Sequence, residues 1–239
     1  MTEIKYKNII DCKDLLSDEI NYEVKNLIFN KVKNIVLKNT VGKKGLLEGI
    51  KSNVKIEILG DVSENFANFT CGLKIIVNGS IGENSACGIK SGKITVFGSC
   101  EGSFGNNAES SEFYVLENCS KDSFSNLTKK SKIVLGGLIN GGFSKNKNDC
   151  ILIILNLQGG NWFLENGLLE NIANSCVYIR GEKEKIKLQA SDFILLETSY
   201  EDEDVYLPLI SEFARQFNCS LSKIKSKPFY KVGAGLAPE

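Results

Sequence analysis

The stretch that decides the fold is Gly79–Gly98, GSIGENSACGIKSGKITVFG, which begins and ends on glycine, carries Gly82, Gly88 and Gly92 between, and ends in the β-branched run Lys93-Ile94-Thr95-Val96. Runs of the same kind recur on both sides: Asn34-Ile35-Val36-Leu37, Val54-Lys55-Ile56-Glu57-Ile58, Leu73-Lys74-Ile75-Ile76-Val77, Glu112-Phe113-Tyr114-Val115, Lys132-Ile133-Val134-Leu135 and Ile151-Leu152-Ile153-Ile154. One apolar position followed through them gives Leu37, Ile58, Val77, Val96, Val115, Leu135 and Ile154, with steps of 21, 19, 19, 19, 20 and 19 residues. The residue two before each is also apolar (Ile35, Ile56, Ile75, Ile94, Phe113, Ile133, Leu152). Alternate side chains of a strand share a face, so both columns are expected to point inward.

A repeat this short buries its apolar edge only by stacking on its neighbours. The period therefore predicts an all-β solenoid, a right-handed parallel β-helix of about seven 19-residue coils; at ~4.8 Å per coil the rod is roughly 34 Å long. Leucine-rich repeats are excluded because their leucine pattern is absent. A left-handed hexapeptide helix fails because the six-residue steps after Ile75 and Ile81 reach Cys87 and Lys93. The neighbouring coil runs from Gly60, with Gly72 ending its loop, whereas Asn118 stands near a later turn and Ser120–Lys130 contains no glycine. The later coils are therefore expected to be looser.

The flanks have helical periodicity. Ile20, Val24, Leu27 and Ile28 mark one face over roughly 18–31, and Tyr206, Leu209, Ile210, Phe213 and Phe217 mark another over about 204–218, with Pro208 expected in its first turn. Both helices are expected to cap bare ends of the solenoid, which would otherwise aggregate. The expected division is an N-terminal helical cap over 1–33, the β-helix over 34–182, whose last strand includes Val177-Tyr178-Ile179, and a C-terminal helical segment over 183–239.

Composition narrows function by exclusion. The chain has 239 residues and no histidine, which removes Ser-His and Cys-His nucleophile pairs, histidine metal sites and histidine bases. Lysine plus arginine (29) balance aspartate plus glutamate (29), so no net field draws the chain to nucleic acid or an anionic membrane. No apolar run reaches the eighteen or so residues of a membrane span. The Met1–Lys5 start lacks a secretory pattern, so a cytoplasmic location is expected. Cys12, Cys71, Cys87, Cys100, Cys119, Cys150, Cys176 and Cys219 lie far apart, without metal or cluster spacing, and are expected to be reduced structural thiols. The acidic run Glu201–Asp204 is expected just before a helix, where it complements the helix dipole. Gly79-Ser80-Ile81-Gly82 and Gly98-Ser99-Cys100-Glu101-Gly102 are not followed by the triplet of a phosphate loop, and Ser103 and Ser123 have no histidine to activate them. Gly159-Gly160-Asn161-Trp162-Phe163 is either an exposed subunit contact or a bulged core filler. No catalytic, cofactor-binding or metal-ligating residue is identified.

The ungapped coil Gly79–Gly98, its neighbour Gly60–Gly79, and the lead-in Ile35-Val36-Leu37-Lys38-Asn39 followed by Gly45-Leu46-Leu47-Glu48-Gly49 resemble the G-x-G-x-G repeat domain at the C-terminal end of the glutamate synthase large subunit. That domain also occurs as a free-standing protein, and the similarity covers roughly residues 17–230, with the glycine set departing after Gly105. The resemblance implies a non-catalytic scaffold of a glutamate synthase-like oxidoreductase, held between a glutamine amidotransferase-like and a flavin-dependent synthase-like subunit. It implies no flavin on this chain and no turnover by the chain alone. The alternatives are a C-type subunit of formylmethanofuran dehydrogenase, whose coils have related glycine spacing, and a stand-alone β-helix interaction protein.

Overall fold

A computed structural model describes residues 8–120, 122–140, 149–160, 162–164, 175–188 and 193–234, with the backbone alone at 140, 162–164, 187–188 and 234. The chain opens with β1 (Ile9–Asp11), α1 (Ser17–Phe29), β2 (Asn34–Lys38), β3 (Lys55–Leu59), β4 (Cys71–Val77), β5 (Ser91–Val96) and β6 (Ser111–Val115). It continues through β7 (Cys119–Ser120), β8 (Lys132–Leu135), β9 (Ile139–Asn140), β10 (Ile151–Ile154), β11 (Trp162–Leu164) and β12 (Cys176–Arg180). Last come β13 (Ile186–Leu188), β14 (Phe193–Glu197), α2 (Tyr200–Gln216), α3 (Leu221–Lys225) and β15 (Phe229–Ala234). The segment after 182 therefore carries strands as well as helices.

The main sheet has eleven strands in the order β1-β2-β3-β4-β5-β6-β8-β10-β12-β15-β14, parallel from β1 to β12 and antiparallel thereafter. Its register follows the 19-residue column: Leu37 lies opposite Ile58, then Val77, Val96, Val115, Leu135, Ile154 and Ile179 in turn. All eight are fully buried. Ile35, Ile56, Ile75, Ile94, Phe113, Ile133, Leu152 and Val177 form the second buried column. The protein is a sheet-dominated β-solenoid of about six turns.

A second stack closes the coil. Val62, Ile81, Cys100 and Cys119 bridge in parallel, and Cys119 pairs with Ile139. Between the stacks, Phe104, Phe113 and Phe124 meet edge-on with centroids 5.3 to 5.6 Å apart. At Gly79 a Cβ would lie 2.6 Å from the Gly60 carbonyl carbon and 2.7 Å from the Asp61 nitrogen, so this position admits only glycine without moving the adjacent backbone.

The later coils keep the turn geometry despite losing glycine. One turn position runs Gly49, Phe69, Gly88, Asn107 and Asn126, all with positive φ, and their amide groups donate to the next coil at Asn68, Cys87, Asn106 and Ser125 for the first four. Asp122 and Phe124 also take positive φ within the glycine-free stretch. Asparagine and aspartate tolerate this conformation through local side-chain bonding, and Asn126 donates to Asn107 at 3.1 Å across the coils. Asn118 accepts from the Leu138 amide at 2.8 Å. At these described residues a side-chain substitute for glycine keeps the turn.

The two helices differ in placement. On α1, Ile20 and Val24 are fully buried in the cluster that holds Ile10 and Leu46. The α2 helix does not lie over the last rung, where β15 pairs antiparallel with β12. Instead its Tyr206, Leu209, Ile210 and Phe213 pack on Tyr114, Val134, Ile153 and Tyr178, which point outward from β6, β8, β10 and β12. Outward aromatic and aliphatic residues on those strands leave a second apolar face, and α2 removes it from water. Pro208 is interior to the helix rather than in its first turn.

Candidate functional site

The outer face of the sheet divides where α2 ends. Beyond Phe97, whose ring meets Phe217 at 4.9 Å, the outward residues of β3, β4 and β5 are polar or half-exposed. Strand alternation puts Lys55, Lys74 and Lys93 on this face, directly opposite one another on successive rungs. Adjacent parallel strands are ~4.8 Å apart, so three ammonium-bearing stems share one row, an arrangement that is repulsive unless offset by anions. Arg215 and Gln216, from the last turn of α2, complete the rim of a groove of about 280 Å³ floored by Ile75, Ile76 and Thr95.

The charges are compensated unevenly. Lys93 reaches Glu212 at 2.5 Å and Glu112 at 3.7 Å, and its ammonium lies 5.0 Å from the Tyr114 ring centroid. Arg215 spends its fork on Glu212, with Nε at 2.9 Å and Nη2 at 2.7 Å, and Gln216 donates to the same carboxylate at 2.7 Å. The Arg215 hydrogen bonds, opposed by partial burial and aided by Lys93, hold the Glu212 carboxyl down at about 2. Among the described residues Lys55 has only Glu57, 3.9 Å away. Lys74, the middle member, has no ion-pair partner among the described residues. Beneath them Thr95 is 1% exposed, and its hydroxyl is the buried side-chain polar atom left without a hydrogen-bond partner among the described residues. An orphaned hydroxyl costs about 1–3 kcal/mol.

Two other concavities lie elsewhere on the surface. One of about 300 Å³ between β14, α3 and β15 is lined by Lys225 and Lys227, which pair with Glu203 at 2.8 Å and Glu182 at 3.3 Å. The other follows the turns at Glu64, Glu83 and Glu101, and there Glu64 pairs with Lys44 at 2.5 Å.

The residues singled out by sequence are dispersed. Glu201–Asp204 lie inside α2 rather than before it, with Glu201, Asp202 and Glu203 in its first turn and Ser199 as the N-cap. Asp202 is buried against Tyr178, whose hydroxyl donates to it at 2.9 Å, and Lys231, at 2.7 Å. Burial works to raise its carboxyl, but Lys231, the Ser199 amide and Tyr178 prevail and hold it at about 2. This is a structural ion pair. Ser123 donates to the Gly102 carbonyl at 3.0 Å, and Ser80 and Ser99 take part in coil-to-coil bonds. In Gly159–Phe163, Asn161 lies outside the described residues, as do the side chains of Trp162 and Phe163; their strand pairs in parallel with β13.

No disulfide is formed among the described residues, and Cys12, Cys100, Cys119 and Cys150 are buried. Burial, with Asp11 adding to it, pushes the Cys12 thiol up to about 11, and burial also raises Cys100. Such thiols are poor nucleophiles. Among the described residues, no group of three or more His, Cys, Asp or Glu side chains could hold a metal ion, and no helix is long and apolar enough to cross a membrane. The lysine row was missed in the sequence reading although its signal was present: lysine recurs at 55, 74 and 93 with the coil period. No family model matches this chain, and neither does any curated protein.

Proposed function

We propose that this chain is a non-catalytic scaffold of a glutamate synthase-like oxidoreductase, a right-handed β-helix of about seven coils that holds a glutamine amidotransferase-like and a flavin-dependent synthase-like subunit in fixed relation in the cytoplasm. Right-handed winding is the usual sense of parallel crossover connections. The observation that carries the reading is the in-register stack from Leu37 to Ile179, buried at every rung. A continuous parallel stack, with a register shift between Cys71 and Lys74 on β4, makes a stiff spacer, and fixing two active sites relative to each other is catalysis by positioning. In this reading α1 caps the N-terminal end, and the glycine-spaced coil Gly79–Gly98 carries the likeness to the glutamate synthase repeat.

Affinity capture of the tagged full chain from its native host tests this. Co-elution of an amidotransferase-like and a flavin-loaded subunit is expected. Elution alone, or with molybdenum or tungsten enzyme subunits, would overturn it.

A further inference from the structure

We propose that the groove formed by Lys55, Lys74, Lys93, Thr95 and Arg215 binds the phosphate or diphosphate group of a small molecule, independently of any partner subunit. Two separate observations point to an anion site. Three lysines stand in one row on adjacent rungs, and the middle one, Lys74, is exposed and without a carboxylate partner among the described residues. On the neighbouring outward position of β5, the Thr95 hydroxyl is buried in the groove floor with no hydrogen-bond partner among the described residues. One oxyanion placed over Thr95 would answer both defects, accepting from the hydroxyl and offsetting the lysine row.

The donor set favours phosphate over carboxylate. A planar carboxylate is best gripped by a guanidinium fork, but the fork of Arg215 is already taken by Glu212. Lys93 is likewise held by Glu212 and Glu112, so what remains is the ammonium of Lys74, that of Lys55 with Glu57 3.9 Å away, and one hydroxyl, point donors that suit a tetrahedral oxyanion with several acceptors. Lys55 and Lys74 stand one rung spacing, ~4.8 Å, apart before the stems bend inward, which suits a diphosphate bridging both. The groove volume of about 280 Å³ admits a small ligand rather than a polymer strand.

Isothermal titration calorimetry of the full chain with inorganic pyrophosphate, at low salt, is the test. Saturable one-site binding is expected, weakening as ionic strength rises. Lys74→Glu should weaken it about tenfold or more, and Thr95→Val several-fold. Lys25→Glu, the same charge change on distant α1, should leave it unchanged. Succinate should bind at least about tenfold more weakly than pyrophosphate. Thr95→Val also carries a signature that a merely structural hydroxyl would lack: it should raise the melting temperature of the ligand-free chain while lowering pyrophosphate affinity. Absence of binding, equal weakening by Lys25→Glu and Lys74→Glu, or equal binding of succinate would overturn the proposal.

Discussion

Replacing Val77 by aspartate probes the stacked interior at its centre. Val77 is fully buried and lies in register between Ile58 and Val96, themselves fully buried. Losing the valine's apolar burial forfeits about 1.5–3 kcal/mol. The new carboxyl has no cation within the apolar column, so it must take up a proton, and such burial raises a carboxyl by about 3–5 pKa units. Keeping it protonated at pH 7, about three units above its ordinary pKa, costs about 4 kcal/mol at about 1.36 kcal/mol per unit. The sum, about 6–7 kcal/mol, is comparable to the whole stability of a typical domain. Melting followed by far-ultraviolet circular dichroism should show the variant unfolded, or its midpoint lowered by more than about 10 °C. Val77→Ala should lose only about 1–3 kcal/mol, the cost of a small cavity. Lys74→Ala, on the opposite face of the same strand, should change little or stabilise slightly by breaking the like-charge row. A Val77→Asp variant that melts with the wild type would refute the reasoning, because Val77 could not then lie between two sealed rungs.

Other substitutions address separate parts of the fold. Gly79→Ala should destabilise by more than about 1 kcal/mol in urea titrations, because its methyl would press on the Gly60–Asp61 backbone; unchanged stability would deny the close coil approach. Phe213→Ala, at a fully buried α2 position, should cost about 3–5 kcal/mol and expose the outer sheet face to a hydrophobic dye while leaving most of the β signal. Asp202→Asn tests linkage. Its carboxyl lies near 2 in the fold against an ordinary 3.8, so the wild type gains stability from it above about pH 4 and loses that gain as pH falls toward 2. The gap between wild type and variant, on the order of 1–2 kcal/mol at neutral pH, should therefore close between about pH 4 and pH 2 in urea midpoints. A gap that widens on acidification would contradict the assignment.

The inward columns were legible because aliphatic residues recur at the coil period and a strand's alternation leaves little freedom in where they point. Turn continuity was less so, since Asn107, Asn126 and Asp122 replace glycine by a different route to positive φ, one that a search for glycine passes over. The position of α2 was misjudged because its apolar stripe was matched to an exposed end rather than to an exposed face. The sign of that face was in the strands: Lys55-Ile56-Glu57-Ile58 alternates, whereas Phe113-Tyr114-Val115, Ile133-Val134-Leu135 and Ile151-Leu152-Ile153-Ile154 are apolar on both sides and demand a cover. The three-residue β1 was too short to show periodicity and is fixed by pairing with β2. The groove's lysines repeat visibly, but the orphaned hydroxyl of Thr95 and the occupied fork of Arg215 emerge only when α2 is docked.

Methyl-labelled nuclear magnetic resonance bears most directly on the stack of rungs. Cross-peaks should join the methyls of Ile58 to Val77, Val77 to Val96, and Val96 to Val115, with none between Ile58 and Val115, three rung spacings or ~14 Å apart. Missing neighbour cross-peaks, with those methyls instead contacting unrelated parts of the chain, would contradict the account.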